Sequence, residues 1–177
     1  MFVLGVGPRP NSLWLRVVSR TGRHLEAVAA GVVRTDPSGD LAVRLAELHG
    51  EVGALVEEYQ PDEVAVERVL FQVNVRSAMQ TGQASGVVMA AAAAAGCPVA
   101  LYSPNEVKNA VAGFGGAPTK TRWSRWCAAS WGKTARLRPV DAADAVAVAL
   151  CHLAMVPPIR RVAGTGAMER ATSVASR

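Results

Sequence analysis

Residues 63–70 read EVAVERVL, a run whose centre is nearly all apolar and in which Glu67 is an acid set inside the strand pattern. The break at Gln60, Pro61 and Asp62 sets this run off as a strand. A carboxylate inside such a strand is rarely buried without a partner or a metal, although an exposed strand end would also account for it. A metal there would need other acids that the fold brings to Glu67. Residues 140–155, VDAADAVAVALCHLAM, supply two of them. This stretch is a strongly apolar helix, and Asp141 and Asp144, three apart at its start, can face one side of its first turn. N-capping and compensation of the helix dipole explain either residue taken alone. A strand acid together with a D-x-x-D helix start supplies hard oxygen ligands for Mg²⁺, the ion that phosphodiester hydrolysis commonly needs.

The rest of the chain alternates in kind. Met1 to Val6 is a strand, followed by VGPRPNSLW (6–14) as a turn, and LEAVAAGVVRT (25–35) is a second strand. Asp40 to Tyr59 has the apolar spacing of an amphipathic helix. Asn74 to Ala95 is a long helix of small residues, PVALYSP (98–104) a strand, and SPNEVKNAVAG (103–113) a helix capped at Ser103 or Asn105. Strands alternating with helices predict an α/β fold with a mixed sheet. A length of 177 residues, half of them hydrophobic, fits one domain over 1–156, with the Arg-, Gly- and Ser-rich stretch 157–177 as a loose tail. Cys97, Cys127 and Cys151 form no CxxC pair, which predicts neither a disulfide framework nor a zinc site and fits a reducing cytoplasm. The run ASGVVMAAAAAAGCPVAL (84–101) is mostly Ala and Gly and is broken by Pro98, so no membrane span is expected. A net charge of +5 leans toward a polyanionic partner.

Four segments in order, VAVERVL, NVRSAMQTGQASGVV, SPNEVKNAVAGFG and VDAADAVAVALCHLA, resemble the signature segments of the RuvC-type Holliday-junction resolvases. The resemblance implies a ribonuclease H-like fold, a homodimer, four-way junction DNA as substrate, and four carboxylates holding two Mg²⁺ ions. Glu67, Asp141 and Asp144 match three of those carboxylates. The fourth belongs to a D-P-G-L-T motif after the first strand, where this chain has Gly7, Pro8, Arg9, Pro10 and Asn11. Lys108 matches a family lysine, and Lys120 lies near another; both would neutralise phosphate. Phe71, beside the position of a family aromatic, is a candidate for base stacking. Arg76 lies on the helix that the family uses for dimerisation and DNA contact. The branch-migration proteins RuvA and RuvB are the further partners implied.

The departure at Gly7 has an explanation in codons. Read one base later, the degenerate codons from Gly7 to Val17 permit D-P-G-L-T-R-C-G-F-G, the family's own motif. The stretch TKTRWSRWCAASWGKTARLRP (119–139), displaced from the last base of the Pro118 codon, likewise permits a D-K pair leading into an apolar helical stripe. All four tryptophans, Trp14, Trp123, Trp126 and Trp131, fall inside these two stretches. Two compensated frameshifts, around 7–16 and 118–138, would account for both. If the chain is made as written, a non-cleaving junction-binding paralogue is the alternative. A phosphotransferase of the sugar kinase and actin class shares the core fold, but the chain is short for two lobes and lacks a second D-G-G-type phosphate loop.

Overall fold

The structure is a computed structural model that describes residues 1–9, 11–22, 24–69, 75–113 and 142–156, with 111–113 and 142–144 described as backbone. In chain order its elements are β1 (Phe2–Arg9), β2 (Ser12–Thr21), β3 (His24–Arg34), α1 (Leu41–Tyr59), β4 (Glu63–Glu67), α2 (Val75–Ala94), β5 (Val99–Tyr102), α3 (Pro104–Gly113) and α4 (Ala142–Met155). The strands form one sheet in the order β3-β2-β1-β4-β5. The pairs β1–β2 and β2–β3 are antiparallel, whereas β1–β4 and β4–β5 are parallel, so the sheet is mixed as expected. Phe71, Lys120, Asp141 and the stretch 157–177 lie outside the described residues.

Period-two alternation divides the strands between two cores. Leu4 and Val6 of β1, Leu13, Leu15 and Val17 of β2, and Val64 and Val66 of β4 pack against Leu48, Val52 and Val56 of α1 and Val88 of α2. Each such aliphatic side chain, fully buried, contributes roughly 1.5–3 kcal/mol. Val3, Val18 and Ala65 point the other way, toward Val146, Ala149, Leu150 and Leu153 of α4.

The turn expected over 6–14 is instead the closing end of a hairpin. β1 continues to Arg9, β2 begins at Ser12, and the ladder runs without a gap to Arg9↔Ser12. Leu13, Leu15 and Val17 alternate toward the core and give β2 its register, which outweighs the turn-forming prolines around them. Pro8 is tolerated because it lies beyond Val6↔Val66, the last pair on the β4 side, so its missing N–H leaves no rung unfilled there.

The helix starts follow local chemistry. Asp40 caps α1, its Oδ1 accepting from the backbone N–H of Ala42 at 2.9 Å and Val43 at 3.2 Å. Ser103, rather than Asn105, caps α3. The Glu106 N–H donates to Ser103 Oγ at 3.3 Å and the Ser103 N–H to Glu106 Oε2 at 2.7 Å, a reciprocal capping box with Pro104 as the first helical residue.

One glycine governs how α4 sits. A Cβ placed on Gly5 would lie 2.8 Å from Ala149 Cβ and 3.0 Å from Ala149 N, and closer still to the Ala145 carbonyl oxygen. The helix backbone therefore rests almost directly on β1.

Candidate active site

The direction of α4 decides what meets Glu67. Ala145 and Ala149 stand over Gly5, while His152, in the last turn, stands by Glu63 at the start of β4. Arg20, near the end of β2, donates to the carbonyl oxygens of Leu153 and Val156, the latter at 3.3 Å. The helix thus runs opposite to β1 and β4, and its first turn, which carries Asp144, lies at the sheet end where those strands finish.

Gly7 and Glu67 are the next residues on each strand after the parallel pair Val6↔Val66. By alternation both belong to the α4 face, Gly7 with Val3 and Gly5, Glu67 with Glu63 and Ala65. Glu67 is half-buried at the strand end, which lies between the two situations its sequence pattern allowed. Among the described residues no three His, Cys, Asp or Glu side chains cluster closely enough to hold a metal. The chemistry of Glu67 nonetheless suits a hard cation, since its donors are carboxylate oxygens, and Gly7 is the residue beside it on the neighbouring strand.

A cleft of about 230 Å³ opens at this end, lined by Pro8, Glu67, Arg68, Thr81, Asn105 and Lys108, among others. Lys108, exposed on α3, therefore lies where a phosphate near Glu67 would meet it. Arg76, exposed in the first turn of α2, does not line this cleft. Arg68 is a residue that the sequence reading passed over. It is exposed, lines the cleft, and its backbone N–H donates to the Tyr102 carbonyl at 2.7 Å, which fixes the chain as it leaves β4. Its charge also reaches α3. The Glu106 carboxyl is held below its ordinary range chiefly by the Ser103 hydrogen bonds, with Arg68 adding to the effect. A cation directly after the strand acid was the available signal.

The residues around the missing acid are unusual for their places. Arg16 pairs with Gly5 and Trp14 with Gly7, so both share the α4 face. Arg16 is 0% exposed, and its Nη1 donates to the carbonyls of Leu15 at 2.7 Å and Gly31 at 3.4 Å. Burying a guanidinium costs several kcal/mol before its contacts offset it, on the order of any buried ion.

A family model described as crossover junction endodeoxyribonuclease RuvC matches residues 3–152. The chain belongs to the RuvC family. The RuvC of Salinispora arenicola is 46% identical over 154 residues, covering 86% of this chain and 87% of that one. The RuvC of Moorella thermoacetica is 40% identical over 157 residues, covering 89% and 93%. Among solved structures, Thermus thermophilus RuvC in complex with a Holliday junction substrate superposes with a TM-score of 0.74 at 32% identity, over 87% of this chain and 94% of that one. The fold is thus ribonuclease H-like, and the family is one of metal-dependent endodeoxyribonucleases. Family membership favours the junction endonuclease over the phosphotransferase. Among the described residues no helix is long and apolar enough to cross a membrane.

Proposed function

We propose that this protein is a Holliday-junction resolvase: a structure-selective endodeoxyribonuclease of the cytoplasm that nicks four-way DNA in pairs, with Glu67, Asp141, Asp144 and an aspartate at position 7 as its carboxylates. The observation that carries the proposal is the placement of Gly7 beside Glu67 at the ends of two parallel strands, under the start of α4. Two Mg²⁺ ions bound by these acids would supply an activated water and stabilisation of the leaving oxygen for in-line attack on a phosphodiester. Lys108 and Arg68, flanking the cleft, neutralise the phosphates of the strand laid against it. By resemblance to the family, Lys120 is proposed to neutralise a further phosphate and Phe71 to stack on a base. A second copy of the chain docks on α2, whose exposed Val75 and Met79 lie one helical turn apart, and gives two sites for the two strands. RuvA and RuvB are the partners proposed for the assembled dimer.

The residue at position 7 divides cleavage from binding. Without that acid the metal site lacks a principal ligand, and the rate should fall by roughly 10²–10³ or more, the scale of losing one electrostatic stabiliser. The chain as written is then a junction binder. Displacement of the reading frame over 7–16 is supported from the fold as well as from codons. The displaced reading puts glycine at 14 and 16, on the face where α4 approaches most closely, in place of Trp14 and the buried Arg16.

Resequencing codons 5–18 and 116–140 is the first test, and cleavage of a synthetic four-way junction with Mg²⁺ is the second. The chain as written should bind the junction and leave it uncut. Gly7→Asp, and a variant carrying the displaced reading of 7–16 in full, should restore paired nicking, the latter more completely. Efficient cleavage by the unaltered chain would refute the assignment of position 7.

A further inference from the structure

The contacts that hold α4 are of two kinds, and they are not evenly spread. Along its body the helix rests on small and aliphatic groups: Gly5, Val3 and Ala65 beneath Ala149 and Val146. Such contacts are non-directional and do little to fix where a helix stops along its own axis. The directional contacts gather in the last turn. His152, 0% exposed, shares a hydrogen bond of 2.9 Å between its Nδ1 and the Tyr102 hydroxyl, with the two rings edge to face at 5.8 Å. Its Nε2 faces Glu63 Oε2 at 3.3 Å. Tyr102 is in turn the immediate cross-strand neighbour of Glu67 on β5. One imidazole therefore ties the end of α4 to the start of β4 through Glu63 and, through Tyr102, to the level of the strand acid.

We propose that His152 is a positioning residue: held between Tyr102 and Glu63, it sets how far α4 lies along the sheet, and so where the first turn of α4, which carries Asp144, stands relative to Glu67. The proposal rests on the reading of Glu67 and Asp144 as metal ligands. Asp144 and His152 are eight residues apart, about 12 Å along a helix, so the effect is transmitted through the helix as a rigid rod. The hydrogen bonding is consistent with a neutral ring. If the tyrosine hydroxyl donates to Nδ1, the ring proton sits on Nε2, which lies 3.3 Å from Glu63 Oε2, a proximity without hydrogen-bond geometry. Burial holds the His152 pKa below its ordinary value; Glu63 opposes that shift and Arg20 adds to it. Burial also raises Tyr102 to about 12, with smaller contributions from Cys151, Glu63 and Glu106, so the phenol keeps its proton at any working pH.

The test uses His152→Phe, which keeps a ring of similar size, and Tyr102→Phe, which removes one hydroxyl. Mn²⁺ serves as the probe, with its dissociation constant read by electron paramagnetic resonance at a temperature where circular dichroism shows each variant folded. Hydrogen exchange of peptides covering 142–146 is followed without metal. Both variants should weaken Mn²⁺ binding by roughly 10- to 100-fold, the range for losing a group that orients metal ligands, and should speed exchange in the first turn of α4. Glu67→Gln is the control for the site itself. If Glu67→Gln abolishes Mn²⁺ binding while both other variants bind as the parent does and exchange at 142–146 is unchanged, His152 has only a local packing role and the proposal is overturned. If Glu67→Gln leaves binding untouched, the site assignment fails instead. Should the parent bind no Mn²⁺, the same comparison is made in the Gly7→Asp background, and absence of binding there also overturns the site assignment.

Discussion

Gly5→Ala is the smallest change that should reach the candidate site without touching any of its acids. The added methyl would stand 2.8 Å from Ala149 Cβ and 3.0 Å from Ala149 N, and closer still to the Ala145 carbonyl. Carbon atoms sit comfortably at about 3.5–4.0 Å, so the Ala149 contact alone requires α4 to lift by about 0.7–1.2 Å. The obstacle is helix backbone on one side and strand backbone on the other, so no side chain can turn aside to relieve it. Overpacking of this kind costs about 1–3 kcal/mol. In a chain of this size that is a fall of roughly 2–12 °C in Tm. The same displacement moves the first turn of α4 away from Glu67, and disturbing what orients a metal ligand costs roughly 10- to 100-fold in metal affinity. Thermal unfolding followed by circular dichroism gives the first quantity, and Mn²⁺ affinity at a temperature where the variant is folded gives the second. Gly31→Ala is the matched control, since a Cβ there meets nothing within 4 Å. A Gly5→Ala protein as stable as the parent, with unaltered metal affinity, would refute the account of α4 packing. Adding Ala149→Gly should recover little, because the Ala145 carbonyl remains in the way.

Two further outcomes are expected. Because His152 is held below its ordinary value of 6.5 by burial, the unfolded chain takes up this proton as the pH falls below that value while the folded chain does not. Stability should therefore decline from about pH 6.5 downward until the folded-state pKa is reached, by at most about 1.4 kcal/mol per pH unit for this one group. Urea midpoints between pH 5 and 8 should show that component in the parent and lose it in His152→Phe; identical profiles would count against a buried neutral imidazole. Asp40→Ala removes the oxygen that accepts from Ala42 and Val43 and should cost about 1 kcal/mol, measured by urea denaturation, with junction binding unchanged.

The helices were legible because their signals are local. Apolar spacing and the carboxylate of Asp40 place α1, and Ser103 with Glu106 three residues later marks the start of α3. β2 was not legible. Pro8, Pro10, Asn11, Trp14 and Arg16 read as a turn and its flank, and only the ladder with β1 makes a strand of Ser12–Thr21. In the site, Glu67 announced itself by breaking an apolar run. The adjacency of Gly7 and Glu67 is a matter of parallel register, which a sequence states only through resemblance to relatives. His152 passed unnoticed as a lone histidine in an apolar helix, since Tyr102 and Glu63, its partners, lie on two other elements far away in sequence.

The packing of α4 on β1 also has a meaning in time. β1, Phe2–Arg9, waits for Ala142–Met155, far later in the chain, before one of its faces is covered. Until then Val3, Val18 and Ala65 are open to water, and closing so long a loop is among the slowest kinds of contact to form. A nascent chain ending before position 141 contains the residues of the hairpin and of the α1–α2 layer, yet it has neither Asp141 nor Asp144. With those acids as the proposed metal ligands, such a product has no complete site, and α4 both seals the core and completes the carboxylate set.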